Sequence, residues 1–268
     1  MSAPLDPSLF AEGPARDPRF TVCAVWAEMT NLPEDDSLMA PEFLHRQMNE
    51  ELNGLEIAAR NLTDFPEADW ELRLAIARQC WDEARHVVMF RRCYERRGGR
   101  IGEFPVLNFQ YRIATRIDTL AGRLAVQNRS FEAAGIDAIQ DGIDAARRHG
   151  QADLVELLDT QLADEVQHVR YANTWIPRLI EKEGPRATFQ VVRAVAQANQ
   201  ALKVVAGDAL TTYPVAEEVR REAGFSQAEI ESVKAAPGAN RFTTETQRTQ
   251  RTEDLGTNGA GTVVGRNE

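Results

Sequence analysis

The stretch Asp82-Glu83-Ala84-Arg85-His86 returns, slightly altered, as Asp164-Glu165-Val166-Gln167-His168. Each is a Glu-x-x-His inside a segment of helical periodicity. Three residues on a helix amount to about 300° of rotation, so carboxylate and imidazole leave the same face roughly one turn apart. An oxygen and a ring nitrogen presented side by side suit an intermediate divalent metal such as iron or manganese. One such pair on a solvated helix face would mean little. Two pairs, each preceded by a lone glutamate on an earlier helix, form a pattern that points to a shared metal site.

Spacing extends the pattern outward. Glu51 precedes Glu83 by 32 residues and Glu132 precedes Glu165 by 33. A helix, a turn and an antiparallel helix use about that much chain to bring two mid-helix positions level. The flanks read alike too: Glu51-Leu52-Asn53-Gly54-Leu55-Glu56 against Glu132-Ala133-Ala134-Gly135-Ile136-Asp137. The chain therefore contains an internal repeat of a helix pair. In bundles with a two-metal carboxylate centre, two helices give one Glu each and two give Glu-x-x-His, all pointing inward.

Apolar stripes place these residues in the core. A first helix from Pro41 to about Leu62 carries Leu44, Met48, Leu55, Ala58, Ala59 and Leu62, with Glu51 in the middle. A carboxylate there is costly unless paired or metal-bound; Glu50 and Glu56 fall off that line and read as polar-face residues. Asp69 is a candidate N-cap for a second helix, roughly 70–97, whose stripe holds Glu83 and His86 among Leu72, Ile76, Cys80, Val87, Phe90 and Tyr94. A loop through Gly102 and Pro105 crosses the bundle. A third helix spans about Phe109 to Arg148, long enough to allow a break near Asn128, and surrounds Glu132 with apolar residues. A fourth starts near Gln151 and carries Leu158, Leu162, Glu165, His168, Val169 and Ile176, with Pro177 expected to kink or end it. Pro185 opens a fifth, to about Gly207, and Ser226-Gln227-Ala228-Glu229 has the form of a capping box. Residues 1–40 read as an arm, 41–183 as the metal-binding bundle, 184–236 as accessory helices and 237–268 as a tail without structure.

At 268 residues one large domain with extensions is affordable. No run of apolar residues suits a membrane span, and the first residues lack the features of a signal peptide. Cys23, Cys80 and Cys93 fit no metal motif or disulfide framework, which suggests a reducing cytoplasm. A formal charge of −10 argues against nucleic acid as a partner. Arg91-Arg92, Arg96-Arg97 and Arg147-Arg148 are too short to make a basic face. Four clustered carboxylates would repel one another without a cation, so the site makes sense as a metal site. His45 and His149 lie off the pattern and read as surface residues. Tyr94, Tyr171, Trp81 and Cys80 lie near the site along the helices and read as core side chains.

The set Glu51, Glu83/His86, Glu132 and Glu165/His168 resembles the ferritin-like superfamily of di-iron carboxylate proteins. The Asp-Glu-x-Arg-His form of the first motif is similar to that of bacterial multicomponent monooxygenases; the second departs from it, with Gln167 where Arg would stand. The resemblance covers roughly Pro41 to Glu183. It implies an all-α fold, a ferritin-like antiparallel four-helix bundle with a long crossover, here with an N-terminal arm and additional C-terminal helices. It implies two iron ions (or an Mn/Fe or Mn/Mn pair) with O2 as co-substrate, and Glu83 and Glu165 as bridges. Asp82 and Asp164 would each hold the ligand histidine of the opposite helix, and Arg85 would hold Asp164 or Glu132, or be solvated. The activity implied is that of an oxygenase or oxidase acting on a small organic substrate, with an external electron donor and a homodimer as further partners to consider. An iron-storage or non-catalytic ferritin-like protein is the alternative from another class, and a tRNA-hydroxylase-like enzyme is a variant of the first. Chain length beyond four core helices counts against storage.

Overall fold

The computed structural model describes residues 13–14, 16–30, 32, 41–207, 210–235 and 241–243. The fold is all-α. In chain order the helices are α1 (Pro41–Asp64), α2 (Trp70–Arg96), α3 (Phe109–Ala114), α4 (Leu120–Val126), α5 (Ala133–Arg148), α6 (Ala152–Glu183), α7 (Pro185–Ala206), α8 (Glu217–Glu222) and α9 (Gln227–Ala235). A π-turn, Gln127–Glu132, joins α4 to α5 with helical backbone on both sides. Short strand pairs accompany the helices: β1 (Val22–Cys23) runs parallel to β2 (Val106–Leu107), and β3 (Leu210–Thr212) antiparallel to β4 (Arg241–Thr243).

The apolar stripes explain how the helices meet. One cluster gathers Phe43, Leu44 and Met48 of α1, Phe90 and Tyr94 of α2, Ile136 and Ile143 of α5, and Leu154, Leu158 and Leu162 of α6. A second gathers Ala58 of α1, Leu72 and Ile76 of α2, Leu120 and Leu124 of α4, and Ala172, Ile176 and Leu179 of α6. The helices thus run between two apolar ends, and the Glu and His positions fall between them. α1 and α6 travel from the first cluster to the second; α2 and the α4–α5 stretch travel the other way. After α2 ends at the first cluster, residues 97–119 must cross to the second before α4 begins. β2 and α3 lie on that crossing, where a third cluster joins Leu107, Phe109 and Ile113 to Cys23 and to Ala198, Leu202 and Val205 of α7.

Several expectations need correction. The expected third helix is interrupted at residues 115–119, and Thr119 restarts it by accepting a hydrogen bond from the Gly122 N–H. Near Asn128 there is a π-turn in place of a break. Pro177 neither ends nor interrupts α6, which continues to Glu183. The proline ring lies on the exposed face of the helix, away from the core packing. The chain turns instead at Gly184, where φ is +84°, a conformation that favours glycine, and Pro185 then opens α7. Asp69 stands at the N-cap of α2 without a side-chain capping bond. The capping box is present: the Ser226 N–H donates to Glu229 (2.9 Å), and the Glu229 N–H faces the Ser226 hydroxyl.

His45 is fully buried and not a surface residue; it packs among Phe20, Tyr94 and Phe104 and accepts from the Gly102 N–H at 2.9 Å. His149 is exposed. Trp81 is 68 % exposed and Tyr94 binds Glu103, so neither belongs to the metal cluster. The arm of residues 1–40 is seen in part: β1 and the 3-10 turn Trp26–Glu28 pack toward the crossover and α7. Of the tail at 237–268, Arg241–Thr243 forms β4 and the rest lies outside the described residues. Among the described residues no helix is long and apolar enough to cross a membrane.

Candidate metal centre

Four helical stretches deliver six side chains to one buried place. Glu51 comes from α1, Glu83 and His86 from α2, Glu132 from the end of the π-turn, and Glu165 and His168 from α6; all six are buried. They form two quartets, Glu51–Glu83–His86–Glu165 and Glu83–Glu132–Glu165–His168, in each of which the donor atoms lie within 4.8 Å of one another. Glu83 and Glu165 belong to both. Either quartet can hold a metal ion. Mixed carboxylate and imidazole donors suit a divalent transition ion.

The histidines are oriented from outside. The Nδ1 atom of His86 faces the carboxylates, 3.0 Å from Glu51, 3.4 Å from Glu83 and 3.6 Å from Glu165. Its Nε2 lies 3.1 Å from Asp164. His168 mirrors it, with Nδ1 3.4 Å from Glu165 and 3.7 Å from Glu83, and Nε2 3.4 Å from Asp82. Each aspartate thus serves the histidine of the opposite helix. A carboxylate only accepts, so each Nε2 carries a proton toward its aspartate, and Nδ1 is the atom aimed at the glutamates. Arg85 bonds Asp164 and sits 3.5 Å from Asp82; no contact joins it to Glu132.

Charge in the metal-free cluster follows from this packing. Burial pushes Glu51, Glu165 and Glu132 upward, Glu132 to about 8, and neighbouring carboxylates add to the rise. Burial also pushes Glu83 up, yet His86 and His168 outweigh it and hold that carboxyl below its ordinary range. Desolvation opposes both imidazolium ions, but Asp164, Glu51 and Glu83 around His86, and Asp82 and Glu165 around His168, hold their pKa values well above the usual one. Without metal, protons do the neutralising; a cation must displace them.

An inner set of amides was missed in the sequence. Gln79 donates to Glu132 (2.6 Å) and Glu83 (2.9 Å), while Gln161 donates to Glu51 (2.7 Å). The signal was available: both motifs read Gln-x-x-Asp-Glu-x-x-His, from Gln79 and from Gln161. Asn128 and Gln127 also donate to Glu132, at 2.8 and 3.2 Å, and Tyr171 donates to the Gln79 carbonyl at 2.5 Å. Arg78, also missed, lies 2.9 Å from Asp82. Gly54 makes room: a Cβ there would stand 2.8 Å from the Glu83 carboxylate.

From this cluster a pocket opens toward solvent between α1, α5 and α6. Phe43, Phe131, Ile139 and Leu158 form its apolar wall. Tyr213, from the segment after β3, also lines it, so the C-terminal addition contributes to the wall. Glu50 lines it too; it is buried and bonds Arg46 at 3.2 Å, and so is not the polar-face residue expected.

Fold and site together define an all-helical protein with a buried carboxylate–histidine cluster able to bind metal. The chain belongs to the family described as "Protein of unknown function (DUF455)", whose model matches residues 6–231. No curated protein and no solved structure matches it.

Proposed function

We propose that this chain is a ferritin-like di-metal carboxylate protein, a non-haem di-iron oxygenase or oxidase that uses O2 on a small organic substrate. The observation that carries the reading is the pair of quartets sharing Glu83 and Glu165 at the inner end of a cavity. The residues fit two metal ions: four carboxylates balance two divalent charges, and two Nδ1 atoms already face the carboxylates. The helix directions and the crossing at 97–119 fit the bundle of that superfamily. Iron is the metal favoured, with Mn/Fe or Mn/Mn as other loadings.

Reduced iron bound there supplies electrons for O2 chemistry. The chain itself supplies position and exclusion. Glu51 and His86 hold one side, Glu132 and His168 the other, and Glu83 and Glu165 lie between. Asp164 and Asp82 keep the Nε2 protons, so the inward nitrogens stay available. Gln79 and Gln161 fix the carboxylate rotamers. The apolar wall limits water at the cluster and lines an approach for substrate.

The test is anaerobic Fe(II) loading of the full chain followed by rapid mixing with O2, with Glu165→Ala as control. Uptake that stops near two irons, with O2 consumed and a transient visible absorption absent from the control, is the expected result. Uptake far beyond two would favour storage.

A further inference from the structure

The outer face of α2 carries large apolar side chains that the fold leaves in water. Trp70 is 67 % exposed, Leu74 53 %, Trp81 68 % and Val88 42 %. Between them Ala77 is exposed and Ala84 half-buried. These six positions follow one another in steps of four, three, four, three and four residues. That spacing keeps side chains on one stripe of a helix, and it is the spacing of a seam between two helices. The stripe is about 27 Å long. A contiguous row of this kind, with two tryptophans in it, marks an interaction surface, whereas single exposed apolar residues would not.

We infer that a second copy of this chain covers the seam, with the two α2 helices antiparallel about a twofold axis near position 79. The order of side-chain sizes carries the inference. In that register Trp70 meets the partner's Val88, Leu74 the partner's Ala84 and Trp81 the partner's Ala77, each pair equidistant from position 79. Every layer then sets a larger side chain against a smaller one, which lets the two helices interdigitate. A parallel pairing would stack Trp81 on Trp81 and leave Ala77 opposite Ala77. Closed twofold interfaces need this self-complementarity, in which residue i meets j and j meets i. Charge agrees with size. Exposed Glu67 and Glu71 flank the first end of the seam, and exposed Arg91, Arg92 and Arg96, against Glu95 alone, flank the other. Antiparallel copies bring ends of opposite sign together, and parallel copies oppose like with like. Arg78, the cation nearest the axis, is already paired with Asp82 at 2.9 Å.

The test is sedimentation of the purified full chain over a range of concentrations, with circular dichroism confirming that each variant is folded. Wild type should sediment as two copies. Leu74→Asp and Trp81→Asp, both at exposed positions, should each raise the dissociation constant on the order of 100-fold, because each removes an anchor twice per dimer. The register has its own arm. Ala77→Trp alone would set Trp against Trp and dissociate the dimer. Ala77→Trp combined with Trp81→Ala restores a large-against-small layer and should return the dissociation constant to within about tenfold of wild type. A monomer at every concentration, or a dimer indifferent to both aspartate variants, overturns the inference. A dimer that the aspartate variants dissociate and the exchanged pair does not restore overturns the antiparallel register.

Discussion

The Glu51 side and the Glu132 side of the centre are copies in sequence and differ in wiring. Glu51 sits on a regular helix, receives one amide from Gln161 and faces His86 Nδ1 at 3.0 Å. Glu132 closes a π-turn and receives amides from Gln79, Gln127 and Asn128, with Tyr171 behind Gln79. The extra residue of a π-turn shifts the face that follows and so re-aims the glutamate, a feature common at functional sites. One repeat has thus produced a simply held side and a densely buttressed one.

The strongest way to break the symmetry is at the paired glycines. Gly54→Ala would drive a methyl group into the Glu83 carboxylate, which serves both quartets, whereas a Cβ at Gly135 meets nothing within 4 Å. Gly54→Ala should weaken binding of both metals by about 100-fold, the upper end of the range seen for disturbed ligand shells. Gly135→Ala should leave metal binding unchanged. Competition with a chelator of known affinity measures both.

The amide pair comes next. Gln79→Leu and Gln161→Leu should each cost about 10–100-fold in metal affinity, with the Gln79 change the larger because it frees Glu132, Glu83, Asn128 and Tyr171 together. Equal losses would mean that the extra bonds on the Glu132 side carry no weight.

The two charge states also separate by pH. Glu132 has a folded pKa raised to about 8 from an ordinary 4.5, so the metal-free fold binds more protons than the unfolded chain between those values. Its contribution to stability is full below about 4.5 and is lost as pH rises through about 8. The raised histidines act in the same sense, beginning above their ordinary 6.5. Glu83 acts oppositely, but only as pH falls below 4.5. Metal-free protein should therefore melt at lower temperature at pH 8 than at pH 6, while metal affinity rises over that interval because protons are displaced on binding. Thermal melts with and without Mn(II) at both values check the signs.

The smallest effect is expected at Tyr171→Phe. It removes the 2.5 Å bond to Gln79 and leaves that carbonyl to Asn128, at a cost of about 1 kcal/mol by denaturant unfolding.

What the sequence made legible was whatever repeats or has a period. The six Glu and His positions stood out because a charged residue inside an apolar stripe contradicts its surroundings, and because the contradiction occurs twice. Gln79 and Gln161 were equally repeated yet passed unread, since an uncharged amide in a core stripe raises no alarm. Asn128, four residues before Glu132, lies at ordinary helical spacing and passed unread for the same reason, whereas Gln127 reaches Glu132 across five residues, a departure from helical period that the π-turn makes. His45 was misplaced because its partners, Phe104 and the Gly102 N–H, come from the crossover, and long-range packing leaves no local trace. Pro177 was over-read: a proline on a helix's solvent side interrupts less than one facing the core.

Metal stoichiometry of the purified full chain tests the central claim most directly. Wild type should bind two divalent ions, Glu51→Ala and Glu132→Ala one each, and Glu165→Ala neither tightly, because Glu165 is shared by the quartets. One ion in wild type, or equal losses in Glu51→Ala and Glu165→Ala, would contradict a shared two-metal centre.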